Sequence, residues 1–185
     1  MKENSSTNTH QLVLAALGED KTGIIDDLSR SVLHSGCTIS DSRMVVLDGD
    51  FALLLQVAGN WNNIAKLENQ LPGIETRLGL TITAHRPVER EHDKDLLPYA
   101  VDVVALDQPG IVHNLARFFS QRQINIQEMV TTGYPAAHSG TPMFSVHMVI
   151  QISASVQIAT LREDFMEFCD QLNLDAVMEP AKNYQ

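Results

Sequence analysis

Two short segments carry the residues best suited to chemistry: Asp20-Lys21-Thr22-Gly23-Ile24 and Asp107-Gln108-Pro109-Gly110-Ile111. Each places an acid, then a glycine, then an isoleucine that opens a run at helical spacing. The chemistry such a turn supports is binding rather than bond making. Backbone N–H groups at a helix start lack partners and sit on a partial positive charge. A glycine lets a ligand approach that backbone closely, and a carboxylate such as that of a free amino acid suits the place. The competing reading is local: an aspartate that caps the helix and a glycine that serves the turn. Spacing alone leaves both open. The segments Thr38-Ile39-Ser40-Asp41 and Asn125-Ile126-Gln127-Glu128 are expected beside these turns, as the next strand of each unit.

Other chemistry finds little support. The seven histidines show no H-x-x-x-H or H-E-x-x-H spacing, which leaves no metal site to name. Cys37 and Cys169 have no C-x-x-C partner and read as packed, reduced thiols. A small enzyme built on Cys37, His113 or Asp107 is the alternative from a different class. No G-x-S-x-G, G-x-G-x-x-G or phosphate-binding loop backs it. Catalytic residues and cofactors are therefore expected to be absent.

The elements that must position the turns repeat. A constant offset carries Asp20 onto Asp107, Gly23 onto Gly110, Leu28 onto Leu115, Arg30 onto Arg117 and Ile39 onto Ile126. A longer offset then carries the Phe51 run onto the Phe144 run, so the second copy holds an insertion. In the first copy Leu12–Leu17 reads as a strand buried on both faces. A helix follows from Ile24, ended by Gly36, then strands over Ile39–Leu47 and Phe51–Ala58. A second helix carries Trp61, Ile64, Leu67 and Leu71, with Trp61 in the core and Pro72-Gly73 as the stop, before a last strand Leu78–Ala84. The second copy gives strands at Ala100–Leu106, Ile124–Thr132, Phe144–Ile152 and Ala176–Met178. Its helices lie around Ile111–Phe119 and Ile158–Leu172, and a long Gly133–Pro142 hairpin is its most plausible partner-contact loop.

The order is βαββαβ twice, an α+β class of two ferredoxin-like domains. Each is expected to be a four-stranded antiparallel sheet with two helices on one face. The expected limits are a disordered tail at 1–10, a first domain at 11–85, a charged linker at 86–98, a second domain at 99–180 and a tail at 181–185.

Hydrophobic residues make up 44% of the chain, which excludes a disordered protein. No apolar run approaches a membrane span, and Met1–Gln11 has no signal-like core. Net charge is −10 with only 13 Lys and Arg. A chain that grips DNA needs a basic face to displace counterions, so direct nucleic-acid binding is disfavoured.

The Asp-x-x-Gly-Ile turns, followed by Thr38-Ile39 or Asn125-Ile126, resemble the ACT domain, a small module that binds amino acids and regulates enzymes or transcription. Gly36-Cys37-Thr38-Ile39-Ser40-Asp41-Ser42-Arg43 and Gly59-Asn60-Trp61-Asn62 further resemble the glycine cleavage system transcriptional repressors. The resemblance implies a cytoplasmic accessory repressor that acts through a LysR-type DNA-binding activator, modulated by an amino acid, glycine first. It implies ligand contacts at Asp20, Thr22, Gly23, Ile24, Asp107, Pro109, Gly110, Ile111, Asn125 and Ile126. Lys21-Thr22 stands where the ACT pattern has an Arg-Pro pair, and Pro109 keeps the proline only in the second copy, which favours the second turn. An ACT regulatory subunit of a biosynthetic enzyme fits the same residues, and a homodimer is the expected assembly.

Overall fold

The computed structural model describes residues 9–88 and 95–181, and the chain divides into two compact units, Met1–Arg90 and Glu91–Gln185. In the first unit β1 (His10–Glu19) leads to α1 (Ile24–His34), β2 (Thr38–Leu47), β3 (Asp50–Gly59), α2 (Trp61–Leu78) and β4 (Leu80–His85). In the second, β5 (Leu96–Leu106), α3 (Ile111–Gln121), β6 (Asn125–Pro135), β7 (Pro142–Ser153), α4 (Ile158–Gln171) and β8 (Asp175–Pro180) follow the same order. The sheets are four-stranded, β2-β3-β1-β4 and β6-β7-β5-β8, and every neighbouring pair is antiparallel. This is the expected ferredoxin-like α+β fold, present twice.

Alternation decides which side of each sheet is core. In β1, Leu12, Leu14 and Ala16 are buried, and they face Val57, Leu55 and Leu53 across the β1–β3 ladder. Ile24, Leu28 and Val32 of α1 and Ile64, Leu67, Leu71 and Ile74 of α2 close over that side. The other face is open, so β1 is not buried on both faces as its apolar run suggested: Leu17 is 58% exposed and Leu54 54%. Both helices cover one face, and a continuous apolar run cannot say so. In the second unit Asp102, the polar residue inside an apolar strand, lies on the open face. There it meets its cross-strand neighbour His147 at 2.7 Å.

The helix α2 overrides its stop signal. It runs through Pro72 and Gly73 to Leu78, and β4 starts at Leu80 rather than Leu78. The apolar stripe continues past the proline to Ile74, 3% exposed, and to Leu78 at the core edge. Burial of such side chains at about 1.5–3 kcal/mol each offsets a proline cost of about 3 kcal/mol. The helix ends instead at Gly79, left-handed at φ 68°, whose N–H donates to the Glu75 carbonyl at 2.8 Å. Trp61, expected in the core, is 56% exposed, because it occupies the first position of α2. Gly73 has ordinary φ, and a Cβ built on it meets no atom within 4 Å. Gly73→Ala is therefore expected to stabilise the first unit by about 0.5–1 kcal/mol in chemical denaturation; a destabilised variant would show that the space is occupied.

Three boundaries shift outward. His10, expected in the tail, already belongs to β1, while residues 1–8 and 182–185 lie outside the described residues. Leu96, Leu97 and Pro98, expected in the linker, are strand: β5 pairs Leu96 with Ser153, and the Pro98 carbonyl accepts from Ala181 N–H at 3.0 Å. The remainder of that linker, 89–94, lies outside the described residues. The Gly133–Pro142 hairpin is mostly ladder, with Gly133 opposite Phe144 and Pro135 opposite Pro142. Two prolines facing each other cannot donate, and the ladder stops there. The turn that remains is tied by Ala136 N–H to the Thr141 carbonyl at 2.8 Å.

All ten residues of the edge strand β2 are exposed. This accounts for the polar Asp41-Ser42-Arg43. Arg43 is held within the strand, since its Nη1 donates to Asp41 Oδ1 at 2.6 Å and to the Ser42 carbonyl at 2.8 Å.

Candidate ligand-binding turns

The two turns have nearly the same geometry. Gly23 (φ 97°, ψ −7°) and Gly110 (φ 95°, ψ −3°) are the N-cap residues of α1 and α3, both left-handed, and no side chain caps either helix. The reading of Asp20 and Asp107 as helix caps therefore fails: the glycine takes that position, and the aspartates sit at the strand exit. Asp20 N–H donates to the Gly49 carbonyl at 2.8 Å, and Asp107 N–H to the Pro142 carbonyl at 3.0 Å. The glycine carbonyls start the helices by accepting from Asp27 N–H at 3.0 Å and Asn114 N–H at 2.9 Å. Ile24 and Ile111 are buried, each 4% exposed, and anchor the helix starts. The residues between strand and helix, Asp20–Gly23 and Asp107–Gly110, are exposed. Thr22 and Pro109 lie in that exposed stretch.

Charge separates the two. The first turn of α1 carries Asp26 and Asp27, whereas that of α3 carries no acid. Carboxylates there already complement the partial positive charge and repel an incoming anion. Lys21 of the first turn is engaged by Glu19 at 2.9 Å. The second turn, with Gln108 Nε2 donating to the Leu172 carbonyl at 3.4 Å, leaves its helix start open to an anionic ligand.

Asn125 and Ile126 do not join the turn of their own unit. Across β7, Asn125 is level with Pro98 and Ile126 with Tyr99, whereas Leu106, next to the turn, is level with Tyr134. At about 3.4 Å per residue the separation is roughly 25 Å. The cause is topological: α3 runs back along the whole sheet, so the strand after it starts at the far end. Thr38 and Ile39 are displaced in the same way, beside Ala58 and Val57. The true neighbours of the turns are the β2–β3 hairpin at Gly49, the β6–β7 ribbon at Pro142 and the C-terminal end of α4 at Leu172. The sequence marked these only as hairpins and helix ends.

Cys37 lacks the surroundings of a nucleophile. It is 4% exposed, no histidine or acid bonds its thiol among the described residues, and burial pushes the thiol up, with Lys66 partly opposing. Burial, with Asp170 adding, pushes the Cys169 thiol up to about 12. At pH 8 such a group is about one part in ten thousand thiolate. Both thiols are expected to resist a disulfide reagent at pH 8 until the chain unfolds; rapid labelling of Cys37 in the native protein would restore the nucleophile reading. No group of three or more metal-ligating side chains occurs among the described residues, and no helix among them is long and apolar enough to cross a membrane.

The ACT domain family model matches residues 10–85. That match spans the first unit from β1 to β4. The second unit repeats the ACT strand order and the left-handed glycine turn. Over 167 residues the chain is 29% identical to the glycine cleavage system transcriptional repressor of Escherichia coli (strain K12), covering 90% of this chain and 88% of that one. The repressor of the same name from Shigella flexneri matches to the same extent. A crystal structure provisionally described as a glycine cleavage system transcriptional repressor superposes with a TM-score of 0.73 at 26% identity, covering 95% of this chain and 99% of that one. A protein of unknown function from Galdieria sulphuraria shares the fold, at TM-score 0.77 and 23% identity over 95% of this chain and 100% of its own. The chain thus resembles glycine cleavage system transcriptional repressors along nearly its full length.

Proposed function

We propose that this tandem ACT protein is a non-enzymatic, amino-acid-responsive regulator of transcription that acts by protein contact in the cytoplasm. The observation that carries the reading is the match to the Escherichia coli repressor across 90% of the chain, through both ACT units rather than one. The partner is a LysR-type DNA-binding activator, and glycine is the modulating ligand. An acidic chain of net charge −10 suits action through such a partner better than a grip on phosphates.

The ligand carboxylate meets the backbone at the Asp107–Gly110 turn, where Pro109 and Ile111 shape the approach. The Asp20–Ile24 turn, with two acids in its helix start, binds more weakly or not at all. Asn125 and Ile126 lie roughly 25 Å from the turn of their own unit, so one small ligand does not touch both sets within that unit. The chain acts as a homodimer.

The test is a thermal-shift screen of the full chain against the twenty amino acids, followed by capture of a LysR-type protein with and without glycine. A ligand at 100 times its dissociation constant adds about 2.7 kcal/mol, a shift of several degrees. A glycine-selective shift and glycine-dependent capture support the reading. No shift with any amino acid removes the sensor, and no capture under either condition removes the partner.

A further inference from the structure

On the helical side of the first unit a groove of about 630 Å³ runs between α1 and α2, away from the glycine turn. Its two central positions are small. Ser31 stands on α1, Gly73 stands on α2, and a Cβ on Gly73 would meet nothing. The second unit has a smaller groove, about 420 Å³, between α3 and α4 at the matching positions. The offset that aligns the two glycine turns places Phe118 where the first unit has Ser31. Phe118 packs on Phe168 at 4.9 Å and carries the Arg122 guanidinium 3.8 Å above its ring. The rings of Phe118 and Phe168 line that smaller groove, whereas the wider one of the first unit has Ser31 and Gly73 in its middle.

The walls of the open groove are set for a ligand with two polar ends. Arg77 makes one long bond, 3.4 Å to Ser31 Oγ, and has no ion pair among the described residues. Arg30, by contrast, is held by Asp26 and Asp27. That leaves Arg77 as the groove's free fork for a carboxylate. Two turns away, about 10 Å along α2, Gln70 Oε1 accepts from Ser35 Oγ at 3.1 Å. Ser35 is 2% exposed and so fixes the carboxamide, whose Nε2 remains to donate. Buried Ile74 forms an apolar floor between the two.

We propose that this groove is a second small-molecule site, taking an elongated aliphatic dicarboxylate. One carboxylate sits on Arg77, the chain lies over Gly73 and Ile74, and the far carboxylate accepts from Gln70 Nε2.

The experiment is an NMR titration of the full-length protein with suberate, malonate and inorganic phosphate. It follows the Gly73 amide, the Arg77 Nε–H and the Gln70 side-chain amide. Suberate is expected to give saturable shifts at all three, with malonate and phosphate at least tenfold weaker. Arg77→Gln should weaken suberate tenfold or more. Gly73→Leu should block it without lowering the melting temperature, while Gly110→Val, at the other turn, should leave it unchanged. The proposal is overturned by no saturable response, by equal affinity for malonate or phosphate, or by suberate binding that survives in Gly73→Leu. Because these shifts are read at α2, loss of the glycine response leaves the outcome intact, and the converse holds too.

Discussion

Phe165→Ala is expected to destabilise the second unit by about 3–5 kcal/mol, the largest single-residue effect among the changes considered. Phe165 of α4 is 0% exposed and sits between two rings of α3, its centroid 5.3 Å from both Phe118 and Phe119. Removing the ring opens a cavity that the sheet behind it, with Met148 and Ile150 also 0% exposed, is too closely packed to fill. It also deletes two aromatic contacts worth about 0.5–1.5 kcal/mol each. Against a typical total stability of about 5–15 kcal/mol this is a large fraction. Hydrogen exchange of amides in β5 and β7 reads the loss directly. Phe168→Ala should cost less, since Phe168 is only partly buried at the edge of the same cluster. A Phe165→Ala protein whose β5 and β7 amides exchange less than tenfold faster would mean that α4 is not the lid of this core.

The second large effect is expected at the turn. Gly110 holds φ at 95°, where a side chain is strained, yet a Cβ there would meet only Asn114 Nδ2 at 3.7 Å, an ordinary contact. The penalty for a substitution is therefore backbone strain rather than collision. About 1–2 kcal/mol is the usual cost for L residues in left-handed geometry, and a β-branched residue sits at or above the upper end. Gly110→Val should thus lower stability by about 2 kcal/mol and abolish the proposed glycine-dependent thermal shift, because its methyl groups stand where the proposed ligand would meet the backbone. Gly110→Asn, tolerant of that φ, should keep most of the stability and still weaken the ligand. Equal glycine responses in wild type and Gly110→Val would detach the turn from ligand binding altogether.

Much of this molecule was legible in its residues. The repeat of Asp-x-x-Gly-Ile located both turns, and the alternation of periods two and 3.6 gave the order of elements. What failed did so where a local signal met a larger one. Pro72-Gly73 is a sound stop, but Ile74 and Leu78 continue the buried stripe beyond it. Trp61 is the kind of side chain a core takes, but it stands at the first position of its helix, facing water. Asn125 and Ile126 follow the turn closely in sequence, and only the direction of α3 shows that they open the far end of the sheet. The open groove between α1 and α2 could not be read at all. It depends on the alignment of Ser31 with Gly73 across two helices, and sequence order does not reveal that facing.

The edge strand β2 has a bearing on how this protein behaves when concentrated. Ten exposed residues on a sheet margin, among them Val45, Val46 and Leu47, are a template onto which a stray strand can add. The irregular register between Ile39 and Asp41 breaks that template near one end, and the Asp41–Arg43 pair puts charge beside the break. Charge is the part of this protection that solvent can remove, since screening shortens to about 3 Å in molar salt. The protein should therefore be more prone to cloud in concentrated salt solution than in dilute buffer.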